Sequence, residues 1–198
     1  MFAGLRADGF LEVPLQSVVP AKTPVCYASM FTGLPPAGHG ITQYQKPVLA
    51  CRTIFDVLPA YGQRAAIVAV KESSIDRIFR GRRADYFSEP DDQAVAARAL
   101  ALINAGEHDF LLVYQQAYDD HLHAADPWDA PAEQAIAGHL AAFRELAGAF
   151  DEKWAGLPHA VLFAPDHGAH VDPATGKGTH GDAVPADMDV AHFWKFWR

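Results

Sequence analysis

The stretch Ala160-Val161-Leu162-Phe163-Ala164-Pro165-Asp166-His167-Gly168 decides how this 198-residue chain is read. Its β-branched and aromatic run predicts a buried strand. The Asp-His pair then projects from the strand's C-terminal end, where open α/β sheets carry their chemistry. Two metal-binding residue types side by side there suggest a metal site; the plainer reading is a turn whose Asp caps a backbone amide. Asp109 to Gln115 reads as a second apolar strand, followed by Asp119-Asp120-His121-Leu122-His123, and Gly178-Thr179-His180-Gly181-Asp182 comes later. Parallel neighbours bring their C-terminal ends to one edge, so these groups converge if the strands are parallel. A mixed carboxylate and imidazole set suits zinc, with manganese or iron as alternatives, and suits magnesium or calcium poorly.

The rest of the chain alternates strand and helix. Phe10 to Val19 and Ala65 to Val70 read as strands; Thr53 to Tyr61, Ser74 to Arg80 and Asp91 to Ala105 read as helices, the first ending at Gly62. Ala132 to Trp154 is the strongest helix, with Ile136, Leu140, Phe143, Ala147, Phe150 and Trp154 at intervals of three and four. It has too few heptads and too few charged flanks for a coiled coil, which leaves a core-facing crossover helix. The alternation predicts one domain over residues 1–198, a three-layer α/β/α architecture with a mainly parallel central sheet.

A hydroxyl completes the set. Thr23-Pro24 to Gly33 reads as a short helix with Thr23 at the N-cap, Pro24 at the first helical position and Gly33 as the stop. Thr23 is then either only a cap or a nucleophile, because free amides and the helix dipole there favour an alkoxide or a bound phosphate.

Composition bounds the function. A net charge of −8 argues against a nucleic-acid duplex as partner. Cys26 and Cys51 make neither a disulfide framework nor a CxxC zinc pair. No signal-peptide pattern and no membrane-length apolar run is present, which gives a cytoplasmic expectation without a membrane partner and leaves the oligomeric state open. Arg77 to Arg83 reads as a solvated basic loop with a phosphate clamp as the rival, and Thr175-Gly176-Lys177-Gly178-Thr179 lacks the earlier glycine of a P-loop. His121, His170 and His192 lie near the proposed ligands with surface or supporting roles expected; His39, His108, His139 and His159 read as structural or exposed.

In this order the motifs resemble the alkaline phosphatase superfamily and, within it, the type I phosphodiesterase/nucleotide pyrophosphatase branch. The branch has a nucleophilic Thr, a Thr-Gly nine residues on, then Pro-x-x-His-Gly-Ile; here stand Thr23, Thr32-Gly33 and Pro36-Ala37-Gly38-His39-Gly40-Ile41. Its Asp-x-x-Gly-His-x-x-Gly-Pro resembles Asp119 to Pro127, with Leu122 and Asp126 replacing the two glycines. Its Asp-His-Gly is matched by Asp166-His167-Gly168 and its Gly-x-His-Gly by Gly178 to Gly181. The resemblance implies two divalent ions, zinc or manganese: Asp119, His123 and His180 on one, Thr23, Asp166 and His167 on the other. It implies hydrolysis of a small phosphate ester through a phosphothreonine on Thr23.

Two departures matter. The family's second metal also takes an Asp from the end of a first strand, whereas Met1 to Arg6 reads as the last turns of a helix closed near Gly9. The expectation is therefore that this first strand is missing. Where many diesterases of the branch carry Asn three residues after the Thr, this chain has Cys26, a poor donor, which leaves diester against monoester open. Threonine at position 23 disfavours sulfatases, which need Cys or Ser, and the chain has no room for the inserted domain of the phosphoglycerate mutases. The rival from another class is a degenerate, non-catalytic member acting as a metal-binding or scaffold module.

Overall fold

The structure, a computed structural model, describes residues 2–198; Met1 of the expected first helix lies outside them. The first half of the chain forms α1 (Ala3–Ala7), β1 (Leu11–Gln16), α2 (Thr23–Thr32), α3 (Pro36–His39), α4 (Ile54–Val57), β2 (Ala65–Val70), α5 (Ser74–Ile78) and β3 (Asp85–Glu89). There follow α6 (Asp92–Ala105), β4 (Phe110–Tyr114), α7 (Ala117–Ala124), α8 (Ala130–Lys153) and β5 (His159–Phe163). The chain ends with β6 (His170–Val171), β7 (Gly178–Thr179), α9 (Pro185–Met188) and β8 (Asp189–Trp197).

The fold is α/β, as the alternation predicts. β2 lies between β3 and β4 and runs parallel to both. Its Ala-Ala-Ile-Val-Ala-Val sequence is apolar at every position because α5 and α6 both pack on it, and its first five residues are buried. Strand β5 joins a second sheet, ordered β1-β8-β5, in which the central β8 is antiparallel to both neighbours. The parallel arrangement thus holds for β2, β3 and β4, while β5 is ordered by a strand that sequence reading does not reveal. Strand β8 hides because it is apolar on both faces: Phe193 is fully buried in the core, whereas Trp194 and Phe196 stack on each other on the other face. No two-residue alternation marks such a segment. Strand β3 hides for another reason, since its charged ends read as loop.

Other boundaries shift for local reasons. β1 ends at Gln16 rather than Val19. The expected helix Thr53 to Tyr61 divides into α4 and a 3-10 turn, Leu58–Tyr61, because Pro59 has no N–H to continue the α ladder; it still closes at Gly62, where φ is +73°. α5 stops at Ile78, two residues short of Arg80. α8 begins at Ala130, where Asp129 accepts a 2.9 Å hydrogen bond from the Ala132 amide. Its stripe faces α6, α7 and β5, and Phe143 sits within about 5 Å of Phe10 and Phe163 by ring centroid (5.3 and 5.2 Å). The helix is core-facing as expected, but it links strands of two separate sheets instead of crossing over within one.

Two apolar clusters hold the sheets. One gathers Phe55, Phe79, Ile67 and Val25 around β2; the other gathers Leu5, Phe10, Ile136, Leu140 and Phe193 under β8. Each fully buried side chain of this size contributes about 1.5–3 kcal/mol. None of the described helices is long and apolar enough to cross a membrane.

Candidate active site

Four segments meet beyond the C-terminal ends of β4 and β5. α7 follows β4 after two residues and places Asp119 and His123 one turn apart, on one face. The loop after β5 carries Asp166 and His167. The hairpin of β6 and β7 delivers His180, and the start of α2 delivers Thr23. All six residues singled out in the sequence therefore lie together.

Their mutual geometry is close. Asp119 Oδ1 is 3.3 Å from His180 Nε2 and 3.6 Å from His123 Nε2, and the two Nε2 atoms are 3.1 Å apart. Asp166 Oδ2 is 3.4 Å from His167 Nε2, which is 3.2 Å from Thr23 Oγ1. The rings of His167 and His180 stack with centroids 3.8 Å apart, joining the two halves.

Backbone carbonyls orient every imidazole. His180 Nδ1 donates to Ala21 O at 2.7 Å, His167 Nδ1 to Gly168 O at 2.9 Å and His123 Nδ1 to Gly178 O at 3.3 Å. A carbonyl only accepts, so each neutral ring keeps its proton on Nδ1 and turns the Nε2 lone pair inward. Lone pairs 3.1 Å apart repel unless something positive stands between or beside them. The carboxylates have the same need: Asp119 Oδ1 and Asp166 Oδ2 are buried without a hydrogen-bond donor. Burial alone would raise the Asp119 carboxyl; once the rings also carry a proton on Nε2, the bond and charge of His180, with the charges of His123 and His167, bring it below the usual range. Asp166 goes the other way: burial raises it, with the charge of Asp119 adding to the rise against the opposing His167. Buried carboxylates and inward lone pairs form a donor set that fits a divalent cation. Asp119, His123 and His180 each offer a ligand atom within 4.8 Å of the others.

Thr23 corrects one detail of the sequence reading. It is the first residue of α2, not its cap; Lys22 holds the cap position, with no side-chain cap bond. The Thr23 hydroxyl faces His167 instead. The amide cradle is also smaller than a helix N-terminus suggests, because Pro24 has no N–H and both Val25 and Cys26 donate to Lys22 O. The other end matches: Gly33 is the C-cap at φ +70°.

A cavity of about 410 Å³ opens beside Thr23, Asp119, His123 and His180, with Lys22 and Tyr114 also among its lining; Asp166 and His167 do not line it. That volume suits a small ligand. Sequence reasoning missed two supporting groups, Ser17 and Lys22, and expected the supporting role of His192. Ser17 Oγ donates to Asp166 O at 2.6 Å, His192 Nε2 donates to Pro165 O at 3.2 Å, and the Lys22 ammonium donates to His180 O. Only Lys22, adjacent to Thr23, could have been suspected from spacing. The distractors resolve plainly. Arg77, Arg80 and Arg82 pair with Glu72, Asp76 and Asp56, so the basic run is held by acids. Cys26 is buried, and burial beside Asp166 pushes its thiol up to about 12, which makes it a poor nucleophile.

Among known families, the model described as type I phosphodiesterase / nucleotide pyrophosphatase matches residues 2–49. No curated protein matches the chain in sequence. Among solved structures, phosphonoacetate hydrolase from Sinorhizobium meliloti 1021, in complex with phosphonoacetate, is similar with a TM-score of 0.60 and 20% identity over 84% of this chain and 51% of that one. Murine ectonucleotide pyrophosphatase / phosphodiesterase 5 gives 0.55 and 16% over 78% and 48%, and its human counterpart gives the same values. The chain thus spans about half the length of the solved structures it matches. By its N-terminal sequence and by its fold, the chain resembles the type I phosphodiesterase / nucleotide pyrophosphatase branch of the alkaline phosphatase superfamily.

Proposed function

We propose that the chain is a metal-dependent hydrolase of small phosphate esters, of the phosphodiesterase or nucleotide pyrophosphatase type. In this reading Asp119, His123 and His180 hold one divalent ion, and Asp166, His167 and Thr23 hold a second, with zinc favoured by the imidazoles and manganese as the alternative. The observation that carries it is the convergence of three inward Nε2 lone pairs and two orphaned carboxylate oxygens beside the Thr23 hydroxyl. Bound there, such ions supply the positive charge that neutralises a phosphate ester's oxygens.

The chain's own groups then divide the work. Thr23 Oγ1 attacks phosphorus in line, the alcohol leaves with the electrons of the broken P–O bond, and the hydroxyl proton balances the departing oxygen. Water next attacks phosphorus of the phosphothreonine, which releases phosphate where the substrate is a monoester and a phosphate monoester where it is a diester, and restores Thr23. The positive end of α2 favours negative charge at Thr23, and the Thr23 amide is the remaining donor there. Ala21 and Gly178 hold the imidazoles in place through their carbonyls. Thr23→Ala is expected to abolish turnover of p-nitrophenyl phosphate and its diester analogue while the ion at Asp119, His123 and His180 is retained; retained turnover would exclude the nucleophile.

One observation favours a second reading, a metal-binding module without catalysis. Among the described residues the first trio forms a metal-capable group, whereas Asp166 and His167 join no such group of three. Metal analysis beside the same assay separates the two: two ions with turnover support the hydrolase, and one ion without turnover supports the module.

A further inference from the structure

Asp187 is fully buried in the short α9, away from the cavity, and the family motifs leave it without a role. Its contacts reach both ligand loops. The carboxylate accepts hydrogen bonds from the amides of Gly181 and Asp182, at 2.8 and 2.9 Å, directly after His180. Its other oxygen takes His170 Nδ1 at 2.7 Å, at the start of the hairpin that leads to His180. Its backbone carbonyl accepts from the Gly168 amide at 2.8 Å, directly after His167. The approach is tight, since a Cβ on Gly168 would run into the carbonyl of Ala186. Gly181 has φ +122°, a conformation that side chains disfavour, so the loop after His180 is shaped to present its amide to this carboxylate.

His170, Asp182 and Asp187 also lie close enough to suggest a third cation site. Against that, both Asp187 oxygens already have donors, and Asp182 is largely exposed. The cluster is built as a clamp. We propose that Asp187 is a positioning residue that fixes the His167 loop against the His180 loop, and so sets the separation of the two candidate cation positions. This rests on the ligand set assigned under the proposed function. Buried partners that orient metal ligands are worth about 10–100-fold in metal affinity, and here one residue serves two loops at once.

The test is zinc titration of the full chain by calorimetry, with the visible spectrum of the cobalt-loaded protein as a second readout. Asp187→Ala is expected to bind zinc about 10–100-fold more weakly and to alter the cobalt bands. Asp187→Asn is expected to recover most of the affinity, because its carbonyl can accept both amides while its NH₂ donates to His170 Nδ1. A folded Asp187→Ala protein with wild-type zinc affinity and spectrum, whatever its melting temperature, overturns the clamp. If Asp187→Ala does not fold, His170→Ala decides: a weaker site with a shifted cobalt spectrum supports the clamp, and an unchanged one refutes it. A wild-type chain that takes no zinc refutes the ligand set and the clamp with it, whereas normal wild-type binding with unaffected variants refutes the clamp alone.

Discussion

At Gly178 a side chain would strike the backbone carbonyl of Leu122, so α7 and the β6-β7 hairpin approach closely there, over a leucine that is almost wholly buried. The same glycine accepts from His123 Nδ1 and donates its amide to Ala125 O at 2.7 Å. Gly178→Ala is therefore expected to push α7 from the hairpin and weaken zinc binding by about 10-fold, measured by calorimetry; unchanged affinity would show that the contact does not matter. Cys26 allows a second check at this scale. With its thiol buried and pushed up to about 12, it is expected to resist a disulfide reagent at pH 8 in the folded protein, and to react once denaturant is added. The gathering of these six residues was legible in the sequence because they fall in the motif order that the resemblance supplies. Asp187 and Ser17 were not, because a carboxylate or hydroxyl that serves the backbone leaves no spacing signature.

Among the elements, α7 is tied at its start to a side chain of another helix. Asp92, at the start of α6, accepts from the amides of Gln116 and Ala117 at 2.8 and 3.0 Å, and His139 of α8 lies 2.7 Å from the same carboxylate. One side chain thus joins three helices and caps the one that carries Asp119 and His123. Burial would raise the Asp92 carboxyl, but the bonds from His139, Gln116 and Ala117 hold it below the usual 3.8. A depressed carboxyl stabilises the fold fully above that ordinary value, and the contribution is lost as pH falls through the lower folded value. Asp92→Ala is expected to cost about 1–3 kcal/mol near neutral pH and to flatten the acid limb of the stability curve. Urea denaturation at several pH values reads both effects, and an unchanged acid limb would contradict the assignment. The helices were largely legible because caps and stripes are local: Asp91 and Gly106 bound α6, and the α8 stripe is plain in the sequence. Strand partnership was not legible. β5 looks like a buried parallel strand, and its antiparallel pairing with β8 is decided by the far end of the chain.

On the scale of the whole molecule, two three-stranded sheets present β4 and β5 so that the segments after both strands meet, with His167 stacked on His180 and Thr23 beside it. The α/β class and the convergence of the six candidate side chains were readable from alternation and motif order; the split into a parallel and an antiparallel sheet was not. A net charge of −8 and the two buried carboxylates of the cluster draw cations toward it, and that attraction weakens as salt screens it. The central claim is that the six gathered side chains hold a pair of divalent ions. The most direct test is a crystal of the zinc-soaked chain measured on both sides of the zinc absorption edge. The expected result is two anomalous peaks, one among Asp119, His123 and His180 and one beside Asp166, His167 and Thr23. A map with no peak at either place, from crystals that take up zinc elsewhere, would contradict the account.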